Sequence, residues 1–473
     1  MSVFTNFFSN DGVYTLPEAS AKKSSPDTAI IGQLDELAAH TIELYHTNSL
    51  ASGAIETVTL NTVATGLKLQ SKINYKYLGL SEEQAIEMQA KIENVFNMVA
   101  NSTYLDIMGL NDFKQMQEIA HRTMKMTGGT LVLFPTVEND ANFKLKIKLL
   151  EAQHLVNQDN KADTELIAGG VEIDKYGAVS KYHILKNHPN GYIAKKEWAI
   201  IPRKSGLKYN VLHLYEQKRA GQRRGIPYIA SVLDIFRKIN DYSEAELDAA
   251  ILNARFAGFV WNENPPLVED DETTTPEPMT IKKGNLIQLQ QGWKINFADP
   301  ARPNVNFATF LEGQIKMMCI GLHIPYELFM KHFEASYSAS RGAIIEGKKY
   351  FYSQRYDLAT MFCQPVFENV ILQFVLDGTL DLAGFLTDPL ARLAWLGTEW
   401  VGDVQEELDP LKAVNAAEAR VKSGFSTRDR EAKQINGTDF GRNIEMANDE
   451  TARLENSGLP YIGTNKKEVV SGK

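Results

Sequence analysis

VLHLYEQKRAGQRRGIPYIASVL, residues 211–233, and DYSEAELDAAILNARFAGFV, residues 241–260, carry the chain from a β-like run into a long helix through one glycine-bearing turn. Gly221-Gln222-Arg223-Arg224-Gly225 supplies the turn chemistry. Pro227 stands where a first helical turn tolerates a residue without an N–H, and Ile229, Val232, Leu233, Phe236 and Ile239 then form one apolar stripe. The helical stretch extends to about Phe259. Within it Ser243-Glu244-Ala245-Glu246 has capping-box form, which predicts a break or kink at Asp241-Tyr242.

Upstream of the turn, TLVLF, KLKIKLL, GVEID, KYHIL, EWAII and NVLHLY are short β-rich runs between about 130 and 215, divided by Asn, Asp, Gly and Pro. Before them, helices are predicted from Thr28 to Tyr45 (Ile31, Leu34, Leu37, Leu44), after a Ser81 cap (Ala85, Met88, Ile92, Phe96) and after Asn111 (Phe113, Met116, Ile119, Ala120). Residues 1–27, with Lys22-Lys23-Ser24-Ser25-Pro26, read as a mobile arm.

Downstream, residues 261–304 hold Asn264-Pro265-Pro266, the acidic run Glu269-Asp270-Asp271-Glu272 and the β-like runs NLIQL and KINF, and read as a small β insertion with a flexible tip. A helix resumes at an Asn306 cap, with Phe307, Phe310, Leu311, Gln314, Met318, Cys319 and Leu322 on one face, and stops at Gly321 and Pro325. The β excursion is therefore bracketed by two helices. After HFEASYSAS another long helix carries Ile344, Ile345, Phe351, Leu358 and Phe362, kinks at Pro365 and ends at Asp377-Gly378. The last hundred residues read as helical, with Asp409 capping Pro410, Gly424 ending that helix, and a short helix from Ser426-Thr427 to Asn436-Gly437. The fold class is α+β, mainly α-helical.

The 473 residues, 44% of them hydrophobic, suffice for several subdomains, because single cores stop growing near roughly 250–300 residues. No uncharged apolar stretch approaches the roughly 18 residues that span a bilayer, and MSVFTNFFSNDG lacks a signal-peptide pattern, so a soluble chain with no membrane partner is expected. Cys319 and Cys363, both in apolar helical patterns, read as buried thiols. A net charge of −9 argues against a surface that grips DNA, since phosphate binding needs clustered Lys and Arg. It leaves open a surface that guides DNA without holding it.

The motifs of a nucleophile elbow, a P-loop and a zinc protease do not occur, so no catalytic residue, metal ligand or cofactor is assigned. The Gly221–Gly225 segment resembles a phosphate cradle but lacks its glycine spacing and lysine, and the simpler reading is a turn that orients the long helix. His154, His183 and His213 lie in β-like runs among apolar neighbours and read as core or interface histidines.

These segments together resemble the lambda family of phage portal proteins. The resemblance rests on residues 211–260, with Gly221-Gln222, Arg224-Gly225 and Pro227. It is joined in order by GGVEID (169–174) with Tyr182-His183, HIPYELF (323–329), SYSASRGAIIE (336–346), Cys363-Gln364-Pro365-Val366-Phe367, and LDPLKAVNAAEARVKSGFSTR (408–428). It covers roughly residues 45–440. The chain departs from the family pattern at Met98, Gly129 and Lys331-His332.

The resemblance implies a portal fold: an α/β wing over 28–225, a first stem helix over 226–260, a clip over 261–304 and a second stem helix over 305–324. A tunnel loop over 325–340, a long kinked helix with the remaining wing over 341–405, and a helical crown and tail over 406–473 complete it. It implies a homo-oligomeric ring of twelve, at one capsid vertex of the virion, assembled in the bacterial cytoplasm. Double-stranded DNA would pass through that ring. Its partners would be the terminase large subunit, head-tail adaptor proteins, and the major capsid and scaffolding proteins.

Lys331, His332, Ser336, Tyr337, Ser338 and Arg341 would face DNA, although Arg341 can equally pair with Glu334 or Glu346 and Tyr337 can pack between subunits. Glu269, Asp270, Asp271 and Glu272 would meet the terminase and adaptor, or form an idle surface loop. The alternative is another ring-forming virion protein or a head-tail adaptor.

Overall fold

The computed structural model describes residues 24–138, 140, 143–191, 196–255, 259–262, 293–296, 307–333, 337–403 and 410–457. It opens with α1 (Pro26–Ile30), α2 (Leu34–Thr47) and α3 (Ser49–Val63), followed by β1 (Lys68–Ser71) and α4 (Tyr75–Leu78). Two capped helices follow. In α5 (Glu82–Ala100) Ser81 and Gln84 form a reciprocal capping box, and in α6 (Phe113–Thr127) Asp112 and Gln115 do the same, satisfying donors that a helix start leaves open.

The β-rich runs form two antiparallel sheets. β2 (Thr130–Leu133) is flanked by β3 (Lys148–Glu151) and, across 77 residues or more of sequence, by the later β10 (Val211–Leu214). Between them β4 (Ile167–Ala168), β5 (Val171–Ile173), β6 (Val179–Leu185) and β7 (Trp198–Pro202) make a four-stranded meander, and β8 (Lys204–Ser205) pairs with β9 (Lys208–Tyr209). Helix α6 packs on β2 and β3, so the sheet is covered by the helix that precedes it.

A 3₁₀ turn over Tyr228–Val232 leads into α7 (Leu233–Arg255). Strand β11 (Phe259–Asn262) pairs antiparallel with β12 (Trp293–Asn296), which takes in most of the KINF run, and α8 (Phe307–Leu322) follows, so the two helices do bracket a β excursion. Helix α7 ends at Arg255, short of the expected Phe259, which begins β11, and NLIQL lies outside the described residues. Then come α9 (Tyr326–Met330), α10 (Tyr337–Leu358), α11 (Gln364–Leu376), α12 (Pro389–Trp395), β13 (Thr398–Val401), α13 (Pro410–Lys422), α14 (Arg428–Asn436) and α15 (Phe440–Ser457).

Three apolar clusters hold these elements. The largest joins α5, α6 and α11 around Phe96, Phe113, Phe362 and Phe367. A second unites α3, the start of α7, the end of α8 and Phe351 of α10, and a third fills the sheet region around Leu131, Val171, Tyr182 and Val211.

Several sequence expectations change. α7 runs unbroken through Asp241-Tyr242: the Ser243 to Glu246 segment lies mid-helix, where its Glu and Ala are good helix formers, and Tyr242 packs on Phe307 and Phe310 at ring-centroid distances of 5.4 and 5.0 Å. On α8 the buried stripe is Ile315, Met318, Cys319 and Leu322, while Phe310 is exposed. The first arm is fixed at its end, because Ser25 caps α1 and Asp27 pairs with Arg223 at 2.6 Å. The last hundred residues are not wholly helical: β13 returns to pair with β1, with Leu69 opposite Trp400.

Pro365 is accommodated without a sharp stop. A π-helical turn over Ala359–Cys363 joins α10 to α11, and Pro365 falls at the first turn of α11, where its missing N–H and its bulk against the preceding turn are absorbed by the wider spiral. The joined run Ser340–Leu376 is long and apolar enough by composition to cross a bilayer, but 61% of its most apolar window is buried inside the fold, as a core helix is. Both cysteines are buried free thiols.

Two core histidines set a pH response. Burial pulls His121 and His213 well below the ordinary imidazole range, and neighbouring cations, Lys125 and Arg122 for His121 and Arg224 for His213, act in the same direction. The folded chain keeps both neutral while the unfolded chain takes up protons near about pH 6.5. Stability is therefore unaffected by them above about pH 7 and is lost as pH falls through about 6.5, at up to about 2.7 kcal/mol per pH unit for the pair. Urea midpoints that stay flat from about pH 7 to 5 would contradict this assignment.

Candidate functional site

The junction between the sheet region and α7 is the most tightly built polar site among the described residues. Gln222 organises the turn: its Oε1 accepts from the Lys218 and Arg219 amides at 2.9 and 3.0 Å, and its Nε2 donates to the Arg224 carbonyl at 2.6 Å. Tyr215 donates to the Gln222 carbonyl at 2.8 Å. The Gly225 backbone then lies against Gly128, so that a Cβ on Gly225 would sit 1.9 Å from the Gly128 oxygen. Only glycine permits that approach.

Arg224 is buried and spends its fork on the main chain. Nη1 donates to Leu155 O at 2.9 Å and Gly169 O at 2.7 Å, and Nη2 to Ala152 O at 2.8 Å. Burial lowers its pKa, with the Asp35 and Asp163 charges partly opposing. The guanidinium thus ties the base of α7 to the loop after β3 and to the Gly169-Gly170 turn. Arg223 points the other way, to Asp27 and to Glu165 O. The predicted turn is a structural joint, and nothing in its hydrogen bonding resembles a phosphate cradle.

A second polar knot, not anticipated from the sequence, lies beside the joint. Lys125 of α6 is buried and donates to Glu216, just past β10, and to Gln354 of α10. Its ammonium lies 5.1 Å from the Tyr228 ring centroid and 5.8 Å from that of Tyr350. Tyr228 donates to Leu322 O, the last carbonyl of α8. Burial lowers the Lys125 pKa; burial alone would raise that of Glu216, but the Lys125 charge and hydrogen bond hold it below the usual carboxylate range. Four elements that are remote in sequence meet here: α6, the base of α7, the end of α8 and α10.

Helices α7 and α8 pair above this joint and leave apolar surface unused. Beyond its buried stripe α8 exposes Met317 (57% exposed) and Ile320 (76%) one helical turn apart, with Phe310 two turns before Met317; α7 exposes Leu247 and Ile251. The signal was present in FATFLEGQIKMMCIGL, residues 307–322, which holds more apolar residues than one stripe can accommodate.

The other predicted residues are spread along one segment. Lys331 ends α9 in a left-handed conformation (φ 54°), and Lys331, His332 and Arg341 are exposed. The segment read as a loop contains α9 and already enters α10 at Tyr337, so Tyr337, Ser338 and Arg341 lie on one helix. Ser336 and the acidic run Glu269, Asp270, Asp271 and Glu272 lie outside the described residues. His154 Nδ1 donates to Leu185 O (2.7 Å), and His183 contacts Glu172 at 3.2 Å, both as packed histidines. Among the described residues no cluster of three His, Cys, Asp or Glu side chains could hold a metal.

Known proteins supply the family. The portal protein of Escherichia phage N15 is 23% identical over 450 residues, spanning 88% of this chain and 84% of its own. Portal protein B of Escherichia phage lambda is 23% identical, spanning 92% of this chain and 87% of its own. In solved structures, a chain from the neck of a native gene transfer agent particle, computed with C12 symmetry, aligns with 83% of this chain and 92% of its own at 12% identity and TM-score 0.43. The family described as phage portal protein, lambda family, matches residues 16–355, well over half of the sequence. On that match the chain belongs to the lambda family of phage portal proteins.

Proposed function

We propose that copies of this chain, twelve by family resemblance, close into a ring at one capsid vertex of a tailed phage. Terminase drives double-stranded DNA inward through the bore, the DNA later leaves by the same route, and head-tail connector proteins attach to the ring. In this reading α7 and α8 are the stem, the segment between them is the clip, and α13 to α15 form the crown. The chain contributes shape and charge, with no bond made or broken.

The observation that carries the reading is the unused apolar face of the stem. Met317 and Ile320 point away from their own subunit's core, which costs solvent-exposed hydrophobic area on an isolated chain and is removed from water when the next copy packs alongside. Such a contact is heterologous, since the stripe meets a different surface of the neighbour, and repeated around an axis it closes a ring. With −9 per chain, the ring carries on the order of a hundred negative charges, so its mean field repels the duplex and favours sliding over gripping.

Within that charge, Lys331 and Arg341 supply weak, salt-sensitive touches on DNA. Changing both to alanine should alter DNA retention while rings still form. The acidic run Glu269 to Glu272 is the proposed docking tip for terminase and adaptor.

Ring formation is tested by Met317→Glu with Ile320→Glu. The pair should leave the fold intact by circular dichroism and shift the protein from rings to monomers in light scattering. Rings of unchanged size and yield would reject the stem as the ring interface.

A further inference from the structure

Resting on the ring reading above, we propose that neighbouring copies also lock through the wing, with the loop Thr103–Leu110 of one copy seated on the leucine face of α12 in the next. The loop is an apolar knob. Met108 (70% exposed) and Leu110 (66%) project with Tyr104 and Ile107, and Met98 of α5 adds to the same end. Exposed apolar residues gathered this densely on a folded chain mark a contact surface.

The knob is rigid before it binds anything. Asp106 is buried beneath it and accepts from the amides of Met108 (3.1 Å), Leu110 (3.2 Å) and Asn111 (3.0 Å) and from Asn111 Nδ2 (2.9 Å). The backbone is pinned to the sheet region by Ile107 N to Ile147 O at 3.0 Å and Ile147 N to Leu105 O at 2.6 Å, and Lys146 donates to Tyr104 O at 2.7 Å. Asp106 is the one charged residue from Asn101 to Asn111, and these bonds consume it. The outward surface is therefore uncharged, and it loses little conformational freedom on contact.

The receiving face is equally fixed. On α12, Leu390 (58% exposed) and Leu393 (66%) lie one turn apart, and Leu386 precedes them by four residues. The opposite face is buried through Ala391, Ala394 and Trp395, whose indole donates to Ala383 O at 2.9 Å. Asp388 caps the helix, and Arg392 turns inward to Phe385 O. An exposed leucine face thus sits on a helix that cannot rotate to hide it.

Placement selects a second copy as the occupant. The knob follows the C-terminal end of α5, whereas α12 packs on α4, which leads into the N-terminal end of α5. A helix of 19 residues is about 28 Å long, so one chain does not bring its own knob to its own leucine face. Two different apolar patches at opposite ends of one rigid helix suit a head-to-tail contact repeated around a closed ring, and a two-fold pairing that used both patches at once would stop at a dimer, which the trapping below separates from a ladder.

The test uses disulfide trapping, since Cys319 and Cys363 are buried. The full-length variant Met108→Cys with Leu390→Cys, or Leu110→Cys with Leu393→Cys, is oxidised and run on a non-reducing gel. At least one pair should give a ladder of covalent multimers, and each single cysteine variant should give none. In parallel, Met108→Glu with Leu110→Glu should lower the ring fraction at least about tenfold. Rings seen by electron microscopy, with neither cysteine pair trapped and the glutamate variant ringing normally, would overturn the wing contact and leave the ring reading standing. Absence of rings from the unmodified protein would instead remove the ring reading and this contact with it.

Discussion

Arg224→Ala is expected to destabilise the fold by about 3–5 kcal/mol, from buried carbonyls left short of a donor and the cavity that the lost side chain leaves. The residue donates to three carbonyls, of Ala152, Leu155 and Gly169, drawn from segments 55 to 72 residues away. Ala152 O would keep the Leu155 amide at 3.0 Å, but Leu155 O and Gly169 O would lose the guanidinium, at about 1–3 kcal/mol each where no water reaches them. Arg224→Lys should not restore stability, because an ammonium cannot span three carbonyls that a planar fork reaches together. The check is urea unfolding of the three proteins side by side. A loss under about 1 kcal/mol for alanine would mean that water replaces the guanidinium and that the joint does not depend on it.

Lys125→Met is expected to cost a similar amount, about 3–5 kcal/mol, for a different reason. Removing the ammonium leaves the Glu216 carboxylate largely buried without its cation, and it also removes the donor to Gln354. The partner change identifies the cause: in Lys125→Met with Glu216→Leu no uncompensated charge remains, so most of the lost stability should return. The double-mutant cycle should give a coupling of at least about 2 kcal/mol. Simple additivity would show that the two charges do not act on one another. Because this knot joins α6, the base of α7, the end of α8 and α10, the single variant should also loosen α8 in hydrogen exchange.

Much of the architecture was legible in the chain because local chemistry carried it. The six β-rich runs each became a strand, Ser81 capped α5 as its spacing predicted, and the helix, β excursion and helix succession from residue 233 to 322 held. The helix α3 was missed for a physical reason: its buried side includes Thr57, Thr59 and Thr62 beside Ala51, Ala54, Ile55, Val58 and Val63, while Leu60 faces solvent, so polar and apolar residues do not separate into a clear stripe. The break expected at Asp241-Tyr242 failed because a capping-box pattern is only a start signal where the chain is free to stop, and tertiary packing on Phe307 and Phe310 holds it helical.

Long-range partners were not legible at all. The pairing of β13 with β1 joins residues more than 300 apart, and the meeting of Lys125 with Glu216 and Gln354 depends on three elements arriving together. At the joint itself the glycines and Gln222 were recognisable as a turn. That Arg224 caps carbonyls of the sheet region could be seen only with the chain folded.

Negative-stain electron microscopy of the purified full-length protein tests the central claim most directly. End-on views should show closed annuli with a stain-filled central hole, and side views a narrow stem below a broad wing. Solid particles of single-chain mass at every concentration tried would contradict an assembly walled by α7 and α8, and would mean that Met317 and Ile320 face solvent for some other reason.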